Sequence, residues 1–389
     1  MDLSQSKERR VPKYWTVFVH YRDGILSGEY PSGMRLPSEN EVAKLFGISR
    51  PTVNHAFGQL EQMRLVIRRV GSGTYVANPE KNVSSSDISS APSLKTNTLG
   101  LLVPGLGQGE IFEPICNQIV FTSQENGFRV FVGNTVALRG KDDMARGPFA
   151  EELCHQCIDQ KVDGVFFQPL ELSAGAEEVN RRILDSLKTA GIPVVLIDCD
   201  YLSFPRRSDF DLVGIDNFRV GYTLTEHLLE TGVKNIHFIA RQGSAPSIKI
   251  RFAGFREALL SHNLPIDDNR FHSVSDYETE ISQLMSMRPR PDAFVCGNDH
   301  TAALVIQVLG HLNVRIPQDV RITGVDNLRY ATLISVPLTT ISQPCEEMGR
   351  QAVRAMMERI KTPNLPTRDF FVNFKLIVRN SSGATPTAH

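Results

Sequence analysis

Apolar residues recur along this chain with two different periods. Over residues 14–26, Tyr14, Val17, Phe18, Tyr21, Ile25 and Leu26 return every three or four positions, the spacing of one helical face. Gly28, Pro31 and Gly33 end that helix. A second helix is predicted to start at Ser38, placed as an N-cap with Glu41 three residues on, the spacing of a capping box. Val42, Leu45 and Phe46 supply its apolar positions, and Gly47 stands where a left-handed residue would close it. Ser49 can cap a third helix, with Pro51 tolerated in its first turn. In that helix Val53, Ala56, Phe57, Leu60 and Met63 share one face, while Arg50, Thr52, Asn54 and His55 lie on the other, near its start. Residues 65–70 and 74–76 are β-prone, and Gly71, Ser72 and Gly73 read as a hairpin tip approached by Arg68 and Arg69. Two short helices joined by a glycine turn, followed by a hairpin, predict a winged helix-turn-helix. Its polar helix face suits the major groove of double-stranded DNA.

The pattern changes after residue 78. Residues 79–97 hold serines, prolines and charges with little to bury, and read as a flexible linker. From residue 98 onward, short apolar runs bounded by turn residues alternate with helical spacings. Strands are expected at 99–103, 128–132, 164–167, 193–197, 213–215, 235–240, 293–296 and 321–325. Helices are expected at 115–124, 149–160, 179–190, 220–230, 252–262 and 302–312. This alternation predicts an α/β region with a mostly parallel sheet covered on both faces. The region is twice the length of one such unit, so two lobes are expected.

Charge adds a modest asymmetry. Residues 1–78 hold 11 Lys+Arg against 7 Asp+Glu, and the remainder holds 31 against 36. A basic first domain on an acidic partner fits nucleic-acid contact by that domain alone. Six cysteines are scattered, and only Cys154 and Cys157 form a C-x-x-C, with no second pair to complete a zinc set. Free buried thiols are the expectation, and no metal site. The N-terminal residues lack the apolar core of a signal peptide, and no apolar run approaches the length of a membrane helix. A cytoplasmic protein is expected.

The segments LPSENEVA, ISRPTV and RRVGSGTYV, over residues 12–77, resemble the GntR family of bacterial transcription regulators. That resemblance implies DNA contacts from Ser38, Asn40, Ser49, Arg50, Thr52, Asn54, His55, Arg68 and the tip residues Gly71, Ser72 and Gly73. The chain departs from the family at Asn40 and Asn54, where arginines usually stand, so the operator sequence does not carry over. Farther on, VDGVFF, GIPVVLID, VGIDNFRVGYTLTEHLLETG, RFAGFREAL, PDAFVCGNDHTAALVI, VRITGVDN and PLTTISQP resemble the effector domain of the LacI/GalR repressors, a fold shared with periplasmic sugar-binding proteins. The join of these two types is the arrangement of arabinose repressors. The expected domains are a reader at 1–78, the linker at 79–97, an effector-binding domain at 98–380 and a tail at 381–389. The two lobes are expected at 98–215 with 343–368, and at 216–342 with 369–380.

In open α/β sheets ligands bind beyond the carboxyl ends of the strands. Asp198, Asn298 with Asp299, and Asp326 with Asn327 follow predicted strands, and Arg251 precedes a helix. Carboxylates, amides and an arginine fork suit sugar hydroxyls, and Phe112 or Tyr277 could supply an aromatic platform or simply belong to the core. The LacI resemblance implies ligand contacts at Arg251, Asn298, Asp326 and Gln343, with apolar or aromatic ones at Ile111, Phe112 and Tyr277. Ser247, near Arg251, joins the candidate list or is plain solvated loop.

Catalytic signatures fail. Residues 105–109 are glycine-rich after a strand but lack the G-x-G-x-x-G spacing, the histidines are dispersed, and no serine sits in a G-x-S-x-G elbow. No cofactor is expected, and the C-terminal region is too short for the aminotransferase domain that some GntR-type proteins carry. The expected function is a transcription regulator, a repressor of sugar-utilisation genes acting as a homodimer. Its partners are operator DNA and a small carbohydrate, arabinose or a related sugar; activation by the ligand stays open.

Overall fold

The computed structural model describes residues 13–26, 29–62, 65–69, 73–77, 96–104, 111–133, 146–171 and 175–385. The chain forms two compact units, residues 1–92 and 93–389.

The first unit contains α1 (Lys13–Leu26), α2 (Glu39–Phe46), α3 (Arg50–Gln62), β1 (Val66–Arg69) and β2 (Gly73–Val76). Val17, Phe18 and Tyr21 of α1 meet Val42 of α2 and Val53, Ala56, Phe57 and Leu60 of α3, closed by Val66 and Val76 of the hairpin. The expected faces of α1 and α3 meet here at Val17, Phe18, Tyr21, Val53, Ala56, Phe57 and Leu60, while Met63 and the side chains of Tyr14 and Leu26 lie outside the described residues. Leu45 is the exception: α2 is so short that one apolar position, 71% exposed, remains outside this core. The hairpin strands pair antiparallel with Val66 opposite Val76, and Arg35 bridges Tyr75 on the far side. The hairpin tip, residues 70–72, lies outside the described residues.

The second unit carries two six-stranded sheets. In the first lobe, β3 (Thr98–Leu102), β4 (Arg129–Val132), β5 (Gly164–Phe167), β6 (Val194–Ile197), β7 (Asp211–Gly214) and β13 (Asp369–Phe371) run in the order β13-β7-β6-β5-β3-β4, all parallel. In the second, β8 (Ile236–Arg241), β9 (Phe271–Val274), β10 (Ala293–Cys296), β11 (Arg321–Asp326), β12 (Thr339–Ser342) and β14 (Lys375–Ile377) run in the order β14-β12-β11-β10-β8-β9. Only the β12–β14 pair is antiparallel.

Helices cover both faces. In the first lobe α4 (Phe112–Glu125) and α11 (Cys345–Lys361) pack together on one face, and α5 (Arg146–Asp159) and α6 (Ala176–Thr189) on the other. In the second, α7 (Asn217–Glu230) and α8 (Pro246–Ser261) oppose α9 (Tyr277–Ser286) and α10 (Asp299–His311). A single apolar cluster runs from Leu99 and Ile115 through Val213 to Phe238 and Val325, so the lobes share a core.

Three boundaries differ from those expected. Thr96 and Asn97 are pinned rather than loose: Thr96 donates to Asp163 at 3.2 Å, and Asn97 accepts from Arg129 at 2.8 Å. The rest of the expected linker, residues 79–95, lies outside the described residues. Residues 369–371 pair with β7 in the first sheet, so the last crossing falls between β13 and β14 and not before residue 369. Ser381 and Ser382, assigned to the tail, are fully buried in the second lobe, where they bond Thr339 and His227. All six cysteines are free. Among the described residues, no helix is long and apolar enough to cross a membrane.

The α7–α8 crossing depends on two glycines. A Cβ on Gly221 would sit 1.8 Å from the Arg251 carbonyl oxygen, and one on Gly254 would sit 1.9 Å from that of Phe218. Backbone cannot yield as a flexible side chain can, so the helices would have to separate. Gly221→Ala should therefore destabilise the second unit by about 1–3 kcal/mol. Gly310→Ala in α10, where a Cβ meets nothing within 4 Å, should be neutral or stabilising. Thermal unfolding of both variants checks this; equal melting temperatures would sink the close-approach argument.

Candidate nucleic-acid interface and ligand cleft

Ser38 caps α2 with both bonds of the capping box. The Glu41 N–H donates to Ser38 Oγ at 3.3 Å and the Ser38 N–H donates to the Glu41 carboxylate at 2.7 Å. The cap sets Glu39 in the first turn, where a carboxylate also suits the helix dipole. Gly47 closes the helix at φ 62°, turning the chain toward Ser49. Ser49 Oγ meets Thr52 Oγ1 at 2.7 Å across the first turn of α3.

Glu39 then gathers the polar face. It accepts from Arg50 Nε and from Asn54 Nδ2, each at 3.0 Å, and lies 3.9 Å from Arg68 Nη1. Arg68 donates to the Asn54 carbonyl at 2.8 Å and stands 3.5 Å from Glu61. The two arginines differ in exposure. The Arg50 side chain is 67% exposed and stands on the surface, whereas Arg68, at 26%, braces the wing against α3. Asn40 and Asn54 are exposed beside them. Gly73 starts the second wing strand at φ 117°, a backbone that favours glycine. Gly71, Ser72 and the His55 side chain lie outside the described residues. Glu39 was missed in the sequence because it reads as an ordinary first-turn acid, and nothing in its spacing shows that α3 folds back onto it.

The second unit holds a cleft of about 400 Å³ at the carboxyl ends of both sheets. Ile111, Phe112, Asp198, Ser247, Arg251, Asn298, Asp326 and Gln343 all line it. Tyr277 does not. It opens α9 and packs, half-buried, against the apolar cluster that α9 and α10 share. An aromatic at a helix start cannot be assigned to cleft or core until the helix face is known. Ser247 is buried in the first turn of α8, not a solvated loop. Gln168, Glu171, Arg241 and Tyr330 also line the cleft and were not picked out in the sequence.

Several of these groups are already committed. Arg251 Nε donates to Asn217 Oδ1 at 2.8 Å and Nη1 to the Gly297 carbonyl at 2.6 Å. Asn298 caps α10 by accepting from the Thr301 N–H at 2.9 Å. Gln343 Nε2 donates to Asp326 Oδ1 at 2.7 Å. Others are not: Asp198 Oδ1, Gln168 Oε1 and Gln343 Oε1 are buried without a hydrogen-bond partner. Unmet acceptors in a cleft call for a ligand that donates.

The backbone is strained at the same places. Asp198, Asp326 and Asn327 have φ of 74°, 115° and 54°. Such conformations cost about 1–3 kcal/mol each and persist where surrounding bonds fix them. Here Asp299 accepts from the Leu328 N–H at 2.9 Å and from Thr340 at 2.6 Å, and Arg379 donates to Asn327 at 2.6 Å. Burial, helped by the Asp326 charge, raises the Asp299 carboxyl to about 8. Burial and the Asp198 charge raise Glu171 to about 7, and burial raises Asp198 against the pull of Arg251.

Residues 13–76 match the bacterial regulatory proteins of the gntR family, and residues 225–382 match a periplasmic binding protein-like domain. The chain is 29% identical to the arabinose metabolism transcriptional repressor of Geobacillus stearothermophilus, over 97% of this chain and 99% of that one. It is 28% identical to the HTH-type transcriptional repressor PurR of Vibrio vulnificus, over 88% and 97%. In fold it is similar to a transcriptional regulator CelR–cellobiose complex, with a TM-score of 0.60 and 22% identity over 89% of this chain and all of the other. Both of these relatives are named as transcriptional repressors. Residues 13–76 thus carry a gntR-type helix-turn-helix domain, and the chain is a DNA-binding transcription regulator that joins this reader to a periplasmic-binding-protein-like domain.

Proposed function

We propose that this regulator represses genes of sugar use, and that a small carbohydrate in the cleft, arabinose or a related sugar, releases it from operator DNA. The observation that carries the reading is convergence. Carboxylate, amide and guanidinium groups from both lobes meet around one cleft with Ile111 and Phe112 at its side. That mixture suits a ring with hydroxyls on its edge and an apolar face. The arabinose repressor among the relatives and the cellobiose complex among the similar folds support the same class. A sugar bridging Asp198 of one lobe to Asp326 and Asn298 of the other favours the closed form, and that bias changes operator affinity. A homodimer working in the cytoplasm, where operator DNA lies, completes the proposal.

Arg251→Ala and Asp326→Ala should each weaken sugar binding about tenfold or more yet leave operator affinity without sugar near the parental value. Losing a charged hydrogen bond to a buried ligand costs about 1.5–3 kcal/mol, enough for tenfold or more in affinity. Fluorescence anisotropy with labelled operator, with rising arabinose and then other pentoses and hexoses, reads both quantities. Linkage requires operator DNA to lower the parent's sugar affinity by the factor that sugar lowers its operator affinity. A parent that binds sugar with no change in DNA affinity would retain the sensor and lose the switch.

The operator contact should be electrostatic and centred on Arg50. Arg50→Ala should lower the slope of log K against log salt by about 0.9, one phosphate contact. Arg68→Ala should weaken binding with the slope nearly unchanged, because that side chain is turned inward. Salt titrations of the two variants decide; identical slopes in Arg50→Ala and parent would count against a phosphate contact.

A further inference from the structure

The first-lobe wall of the cleft groups two carboxyl residues with buried acceptors that have no partner. Carboxylate oxygens of Glu171 and Asp198 and the Cys199 sulfur lie within 4.8 Å of one another. Cys199 Sγ donates to Glu171 Oε1 at 3.2 Å, and burial keeps that thiol protonated, so the sulfur is not an anionic ligand. Asp198 is 6% exposed and its Oδ1 has no partner. Arg251, the cation whose charge reaches both acids, spends Nε and Nη1 on Asn217 and Gly297. A separate residue points to the same need. Gln168, 7% exposed and on the same cleft, has an Oε1 with no partner.

The unmet atoms on this wall, Asp198 Oδ1 and Gln168 Oε1, are acceptors, and Asp198 lies beside a second carboxyl group, Glu171, that repels it when both are ionised. A sugar's hydroxyls can each donate to one acceptor but bring no charge, so they would leave that repulsion in place. A phosphate would add a third negative charge. An ammonium offers three donors and a positive charge, and a tetrahedral nitrogen donating to two oxygens at about 2.8 Å holds them about 4.6 Å apart. The ligand atoms of Glu171, Asp198 and Cys199 lie within 4.8 Å of one another, a range such a nitrogen can span.

We propose that the effector is an aminosugar whose ammonium donates to Asp198 Oδ1, Glu171 and Gln168 Oε1. The inference rests on the carbohydrate reading of the cleft and names the substituent that the first-lobe wall selects. The hydroxyls then fall to Asp326, Asn298 and Gln343 on the other side.

The test is calorimetry on the full chain with matched trios: glucose, glucosamine and N-acetylglucosamine, and the same for galactose and mannose. Zn²⁺ and Mn²⁺ alone serve as further probes. The N-acetyl forms keep the size and remove the charge. In at least one trio the amine should bind about tenfold or more tighter than both companions. The preference should collapse in Glu171→Gln and, independently, in Asp198→Asn, the latter compatible with the left-handed backbone at φ 74°. If neutral sugars or N-acetyl forms bind as tightly as the amines, the ammonium assignment is wrong and the carbohydrate reading stands. If the amine preference survives both substitutions, the charge is read elsewhere and the proposal falls. Tight Zn²⁺ or Mn²⁺ binding lost in the same variants would replace it with a metal site. If no sugar of any kind binds, arabinose included, the carbohydrate reading and this inference fail together.

Discussion

Most of the carboxylate and amide groups of the cleft hang from the carboxyl ends of parallel strands, and that constraint shapes the second unit. Parallel strands need crossovers, and crossovers bring helices to both faces of the sheet. Strands such as β5 and β6 are then buried on both sides and can carry only apolar side chains. Polar chemistry is forced to the strand ends. Gln168 and Glu171 follow β5, Asp198 follows β6, Asn298 follows β10, Asp326 ends β11 and Gln343 follows β12. Because the chain crosses between the lobes after β7, after β12 and between β13 and β14, two such rows of ends face one space.

The same constraint explains what the sequence discloses. GVFF, VVLI and AFVC are continuous apolar runs because their strands have no wet face, and they announce themselves. β12 does not, since Thr339 and Thr340 are fully buried threonines satisfied or crowded by side-chain partners that only the fold supplies. β7 starts at Asp211, a buried carboxylate that looks like loop until Arg359 of α11 is found 2.7 Å away. α11 has no counterpart among the expected helices, although Met348, Ala352, Val353, Ala355 and Met356 give it a clear buried face. In the cleft, Asp198, Asn298 and Asp326 were legible because they follow visible strands. Glu171 was not, because it stands four residues past β5, beyond Pro169. Tyr277 stays open in the sequence for the opposite reason: an aromatic near a strand end suits platform or core, and only the fold packs it against the apolar cluster of α9 and α10.

Preorganisation is concentrated at Asp326. Its φ of 115° and the left-handed Asn327 after it are conformations the chain would leave if nothing held them. Arg379 holds Asn327, and Asp299 takes the Leu328 N–H, so the loop is braced from both sides by groups that never reach the ligand space. The brace stays buried because Asp299, with its carboxyl raised to about 8, is held largely neutral near pH 7 and avoids the cost of an unpaired buried charge. A ligand entering the cleft then meets a carboxylate already aimed, and the ordering cost lies in folding rather than in binding.

The reader domain solves a related problem by the opposite means. Its polar face is exposed, and Glu39 gives Arg50 and Asn54 partners while no nucleic acid is present. An exposed pair of this kind contributes about 0–1 kcal/mol, so it orders the side chains without trapping them. A phosphate that released counterions would compete successfully for Arg50. Arg68 differs because three contacts, to Asn54, Glu39 and Glu61, lock it between wing and helix. Its role in the proposed operator contact is to fix the angle of the wing, while the exposed arginine supplies the charge.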